Sequence, residues 1–148
     1  MLTLILAATL AATEPVPACT LPDGTRIQLE LALTDQERAM GLMYRDHLAP
    51  DHGMFFLFDK DDRYPFWMKN TFIPLDIAWL AGDGRIVELR TNVQPCHGDP
   101  CTSYVPTAIA RAVVEIPAGT AAPHGLRPGT PLRCEHIPGF PVAAQQGK

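Results

Sequence analysis

Thr25-Arg26-Ile27-Gln28-Leu29-Glu30-Leu31-Ala32-Leu33-Thr34-Asp35-Gln36-Glu37 is the stretch from which the fold is worked out. From Thr25 to Leu33 it alternates, with Ile27, Leu29, Leu31 and Leu33 on one face and Arg26, Gln28 and Glu30 on the other. A period of two marks a strand with one dry face and one wet face. Thr34 and Glu37 then stand at capping-box spacing, where hydroxyl and carboxylate each satisfy free backbone N–H groups at a helix start. The spacing predicts one short helix, near residues 35–43, with Ala39, Met40 and Met43 turned inward. Pro22-Asp23-Gly24 ahead of the strand is a turn.

Downstream, Arg45 to His52 is a polar loop and Gly53 to Phe58 a continuous apolar strand, expected to be buried on both faces. Asp59 to Pro65 follows as a charged turn. Leu75 to Leu80 and Arg85 to Val93 flank Gly82-Asp83-Gly84 and form a hairpin. Gln94 to Pro106 is a loop. Ile109 to Ile116 is a strand with Ala112, Val114 and Ile116 inside, and Thr130 to Ile137 closes the fold. Short strands separated by turns predict an all-β domain, marginally α+β: a small β-sandwich or barrel with one short helix.

The chain has 148 residues, enough for a single core, and its 15 prolines and 11 glycines favour turns over long helices. A formal charge of −4 with dispersed Lys and Arg excludes a nucleic-acid footprint, which needs a clustered basic face. Residues 1–18 resemble an export signal: an apolar run to Ala12, too short to span a bilayer, then Val16-Pro17-Ala18 as a cleavage pattern. No Lys or Arg precedes that run. The expected division is a signal peptide at 1–18, one β domain at 19–137 and a flexible tail at 138–148. The mature chain is expected to be monomeric, periplasmic or secreted, with no transmembrane segment.

Cys19, Cys96, Cys101 and Cys134 suit an oxidising compartment. Of the three possible connectivities, Cys96–Cys101 with Cys19–Cys134 is favoured, a local staple and a tie between the two ends. A lipid anchor at Cys19 is disfavoured by Pro17, which stands where a lipoprotein signal carries a small residue.

The densest chemistry lies at Phe66-Trp67-Met68-Lys69-Asn70-Thr71-Phe72-Ile73-Pro74-Leu75-Asp76. Together with Thr34-x-x-Glu37-Arg38-x-x-Gly41-Leu42-Met43-x-Arg45, Gly53-Met54-x-Phe56-x-Phe58 and Gly82-Asp83-Gly84, this run resembles the DUF192 family, small bacterial and archaeal proteins with no assigned activity. The resemblance covers roughly residues 25 to 137 and implies a compact β-fold, often exported. It implies no substrate.

On the residues alone, Trp67, Lys69, Asn70, Thr71 and Asp76, with Arg45 beside them, are the candidate ligand-binding set. An aromatic platform ringed by amide, hydroxyl and charged groups suits a small polar molecule, an envelope component or a partner's exposed segment. The same residues could instead be folding logic in a structural accessory domain. A hydrolase acting on a carbohydrate or cell-envelope substrate, with Asp76 as acid/base and Lys69 tuning it, is the catalytic alternative, and binding is favoured over it. A minor alternative is Cu(I) held by Met43, Met54 and Met68, with Met40, His47 and His52 nearby, against the role of methionine as core filler. No cofactor is expected.

Overall fold

Residues 13–142 are described by the computed structural model of the chain, and the apolar run to residue 12 and the tail from residue 143 lie outside them. The strands are β1 (Ala18–Thr20), β2 (Arg26–Ala32), β3 (His52–Asp62), β4 (Phe66–Trp67), β5 (Leu75–Leu80), β6 (Ile86–Val93), β7 (Ser103–Tyr104), β8 (Ala110–Pro117) and β9 (Arg133–Glu135). One helix, α1 (Asp35–Met40), lies between β2 and β3.

Seven strands form one sheet in the order β6-β5-β8-β3-β2-β1-β9, and β4 pairs with β7 apart from it. Only the β2–β3 pair is parallel among the described strands. Antiparallel neighbours can be joined by a tight turn, whereas a parallel pair needs a crossover, and here α1 and the loop after it supply one. The sheet curls so that its edges meet at one end. Leu132 N–H donates to Gly84 O at 2.9 Å and Ile86 N–H to Thr130 O at 2.8 Å. Gly84 sits at φ +90°, and a Cβ there would lie 2.6 Å from Leu132 O, so both its backbone and the closeness of this seam require glycine.

The central strands are buried on both faces. Inside the curl, Phe55, Ala78, Leu80, Ala112, Val114 and Ile116 pack with Ile27 and Leu29. On the outer face Met54, Phe56, Ile77, Trp79 and Val113 pack with Leu42 and Met68. Period-two alternation therefore sends successive residues of β3, β5 and β8 into two different cores.

The expected capping box is present. Glu37 N–H donates to Thr34 Oγ1 at 3.2 Å, and Thr34 N–H donates back to Glu37 Oε2 at 2.9 Å. The inward face expected of the helix is absent: α1 has no buried residue, Ala39 is exposed and Met40 is 51% exposed. Six residues make less than two turns, and the buried anchor is instead Leu42, just past the Gly41 cap. β3 runs on to Asp62 where a turn was expected, and the loop at 94–106 contributes β7. The closing strand is short, because residues 129–132 bond to the start of β6 before β9 begins. Of the expected tail, residues 138–142 are docked. Phe140 lies in the inner core and Val142 N–H donates to Gly82 O at 2.8 Å. β1 includes Ala18, the residue at which cleavage was expected.

Cys19 pairs with Cys134 and Cys96 with Cys101, the favoured connectivity. The first bond lies across β1 and β9, whose register places Cys19 opposite Cys134. Asp76 is 1% exposed, and both its oxygens accept backbone donors, Asn92 N–H and Ala121 N–H, each at 2.8 Å. This carboxylate ties the start of β5 to the end of β6 and to the turn after β8.

Replacing Cys19 and Cys134 together by Ser should cost roughly 2–5 kcal/mol in denaturant unfolding, because the bond closes a loop of 115 residues. The Cys96→Ser, Cys101→Ser pair should cost about 2 kcal/mol or less, since its loop spans five residues. Asp76→Ala should lower the unfolding free energy by roughly 2–4 kcal/mol at unchanged m value, because two backbone donors lose their acceptor.

Candidate functional site

A cavity of about 390 Å³ opens on the outer face of the sheet, between α1 with the residues after it, β3, the segment from Tyr64 to Trp67, and Thr71. Local chemistry sets each wall. The capping box fixes where α1 begins, and Gly41, at φ +48°, ends it over Phe56: a Cβ there would stand 3.3 Å from the Phe56 ring. The β3–β8 register shifts between Leu57 and Asp62. Within that irregular stretch Phe58 stacks on Tyr64, with centroids 3.5 Å apart. Trp79, sealed in the outer core, donates its indole N–H to Tyr64 O at 2.8 Å, which anchors the turn leading to Phe66 and Trp67. Phe66 meets Phe56 edge to face at 5.0 Å.

Arg38 lines the cavity with three of its five N–H donors committed. Nη1 donates to Leu33 O at 2.6 Å and Leu57 O at 2.7 Å, and Nη2 to Asp35 Oδ1 at 2.6 Å. Its guanidinium lies 5.3 Å from the Phe58 ring centroid. The cation is thus part of the wall, neutralised by Asp35 and spread over an aromatic face.

Glu115, from β8, also lines the cavity. It is 5% exposed, and no hydrogen bond or salt bridge to its carboxyl is found among the described residues. Its partners across the sheet are Met54 on β3 and Ile77 on β5, both apolar and buried. Burial alone pushes its pKa from 4.5 up to about 8, because an apolar surround penalises the charged form. A carboxylic acid at the edge of such a space can donate one hydrogen bond when protonated and accept several when ionised.

The structure divides the residues singled out in the sequence. Trp67, 47% exposed, and the buried Thr71 line the cavity with Glu115. Lys69 and Asn70 line a separate, smaller crevice with the Cys96–Cys101 loop. Lys69 Nζ reaches Asp99 Oδ2 at 3.1 Å and lies 5.4 Å from the Trp67 ring centroid. Asn70, at φ 54°, donates Nδ2–H to Tyr44 Oη at 2.9 Å and accepts from Tyr44 N–H at 2.8 Å. Asparagine tolerates that left-handed backbone better than most residues, so Asn70 here fastens one loop to another. Arg45 is held by Glu30 through two N–H···O contacts, the longer 2.7 Å, and its guanidinium keeps the Glu30 carboxyl below the ordinary range. Asp76 is sealed beneath the surface with both oxygens occupied. Met43 lines the cavity, whereas Met54 and Met68 are buried in the outer core. The three thioethers therefore face different surroundings.

Glu115 and Arg38 were not in the candidate set. Placing Ala112, Val114 and Ile116 inside assigned Glu115 to solvent, but the outer face at that position is covered too. The one available signal was a single carboxylate inside an otherwise apolar run, Ala112-Val113-Val114-Glu115-Ile116.

Two solved structures are similar over most of the chain. One, from Sinorhizobium meliloti 1021 and described as a candidate transcription regulator, is 34% identical with a TM-score of 0.72. The match spans 84% of this chain and 97% of that one. The other, a protein of unknown function from Novosphingobium aromaticivorans DSM 12444, is 36% identical with a TM-score of 0.71, over 80% of this chain and 83% of that one. No protein of curated function matches the chain. The profile of DUF192, described as "Uncharacterized ACR", matches residues 18–134, and the chain belongs to that family.

Proposed function

We propose that this domain is a binding module whose small ligand enters the cavity beside Trp67 and Thr71 and meets the Glu115 carboxyl. The observation that carries the reading is a carboxyl on a residue only 5% exposed, with no protein partner among the described residues, whose oxygens open onto an otherwise aromatic space. No side-chain oxygen or nitrogen of the described residues is both fully buried and without a partner, so the Glu115 oxygens meet solvent in this space, and a ligand group entering it would take the place of that water. The cavity volume, about 390 Å³, is that of a small-molecule site. A periplasmic or secreted location belongs to this proposal; two disulfides support it, since such bonds persist in oxidising compartments. Among the described residues no helix is long and apolar enough to cross a membrane.

Other activities find less support. A hydrolase using Asp76 would need that carboxylate to reach substrate, and it is enclosed with two backbone donors. The regulator description attached to the Sinorhizobium protein finds no basic stripe to rest on in this acidic chain.

The carboxyl can be tested without a ligand. Below about pH 4.5 both folded and unfolded states hold the Glu115 proton, and between there and about pH 8 only the folded state does. Stability should therefore fall through that window by up to about 1.4 kcal/mol per pH unit from this one group. Glu115→Gln should remove that slope, so the gap in unfolding free energy between variant and parent widens from pH 4.5 to 8 and is level beyond it. A gap independent of pH would mean that the carboxyl is hydrated and partnered. For the site itself, a small-molecule thermal-shift screen should yield compounds that raise Tm. Trp67→Ala and Glu115→Gln should lose that shift about tenfold or more, while Lys69→Ala and Arg45→Ala keep it. Hits lost in Lys69→Ala alone would move the site to the disulfide-loop crevice.

A further inference from the structure

We propose that the occupant of this cavity is a small organic cation, a compact alkyl- or aryl-substituted ammonium, held by the aromatic walls and the Glu115 carboxylate and released as that carboxyl takes up a proton. The inference rests on the cavity reading above and adds the chemical class of the ligand. Phe56, Phe58, Tyr64, Phe66 and Trp67 contribute rings to the lining, and the negative faces of such rings attract cations, including quaternary ammonium ions. The molecule already uses two of them in this way: Arg38 lies against Phe58 and Lys69 against Trp67.

Charge argues against an anion. The one cation on the cavity wall, Arg38, spends three donors on Leu33 O, Leu57 O and Asp35, so its charge is already matched by a carboxylate before an anionic ligand could arrive. Glu115 and Asp35 are the acidic groups lining the space. Asp35 already has Arg38, whereas Glu115 has no counter-charge among the described residues.

Proton coupling follows from the surroundings of Glu115. β3 and β5 present Met54 and Ile77 to it, α1 presents Arg38 and Asp35 across the cavity, and the segment after β3 presents Tyr64. The Tyr64 hydroxyl donates to Lys60 O at 2.7 Å, and burial raises its pKa, so it stays neutral. Near neutral pH the empty site therefore holds Glu115 mainly as the acid. An entering ammonium favours the carboxylate, so the acid O–H bond breaks, its electron pair stays on oxygen, and one proton passes to solvent for each cation bound. Affinity should then rise with pH up to about 8, by as much as tenfold per unit.

The experiment is titration calorimetry of the whole chain with hydroxyethyl-trimethylammonium, its water-soluble neutral isostere bearing a tert-butyl group in place of trimethylammonium, and butyrate. Runs in two buffers of different ionisation enthalpy count the protons. Methyl NMR signals of Thr71 and Met43 report occupancy. The expected result is that the cation binds about tenfold or more tightly than the isostere, shifts both methyl signals and releases close to one proton near pH 7. Glu115→Gln should abolish the proton release and most of the discrimination. Equal or tighter binding of the isostere or of butyrate at the same methyl signals would overturn the cation assignment and leave the cavity reading standing. No shift of those signals with any of the three would overturn both. The comparison in the parent chain needs no variant, so it holds even where Glu115→Gln folds poorly.

Discussion

Everything at the site depends on β8 being covered on both faces. That strand lies between β3 and β5 near the middle of the sheet, and its residues alternate between an inner core and an outer one. A strand in that position has no wet side. Any ionisable residue on it must either find a partner or sit at the margin of a space another molecule can enter. Glu115 takes the second course, and the cavity beside it follows from how the outer core is closed.

That closure is imperfect in a specific way. The outer face is covered by loops and by the short β4–β7 pair, not by a long helix. α1 is six residues long, buries none of them, and ends at Gly41 so that Leu42 can reach the core. On the other side the Tyr64-to-Trp67 segment is pinned by the Trp79 indole, and the disulfide loop is joined to the Met68–Lys69 backbone through the Cys96 N–H, 3.1 Å from Met68 O. Between these two well-anchored flanks remains a space walled by rings. The rings along it meet one another or a tethered cation, as Phe58 does with Tyr64 and Arg38.

The inner core serves a different end. Asp76, the Cys19–Cys134 bond and the seam at Gly84 each tie together segments far apart in sequence, and together they close the curled sheet. Asp76 shows how a polar residue in a distinctive motif can be wholly structural. Its carboxylate does for three backbone segments what a ladder bond does for two. Asn70 is a smaller case of the same kind, with its left-handed backbone and two bonds to Tyr44.

What could be read from the residues in order was whatever depends on neighbours in order. The alternation of Ile27, Leu29 and Leu31, the Thr34–Glu37 box, the hairpin around Gly82-Asp83-Gly84 and an all-β class all rest on local periodicity and turn chemistry, and all are present. So is the cysteine pairing, which followed from one close pair and one terminal pair. Of the motif from Phe66 to Asp76, Trp67 and Thr71 stand at the cavity. Tertiary structure alone separated that motif into parts: Trp67 and Thr71 to the cavity, Lys69 and Asn70 to the disulfide loop, Asp76 to the interior. It alone placed Glu115, because alternation says which residues share a face but not whether another segment covers it. Residues 41–43 and 64–71 do so from far along the chain, and a carboxylate that periodicity assigns to water ends up in an apolar space.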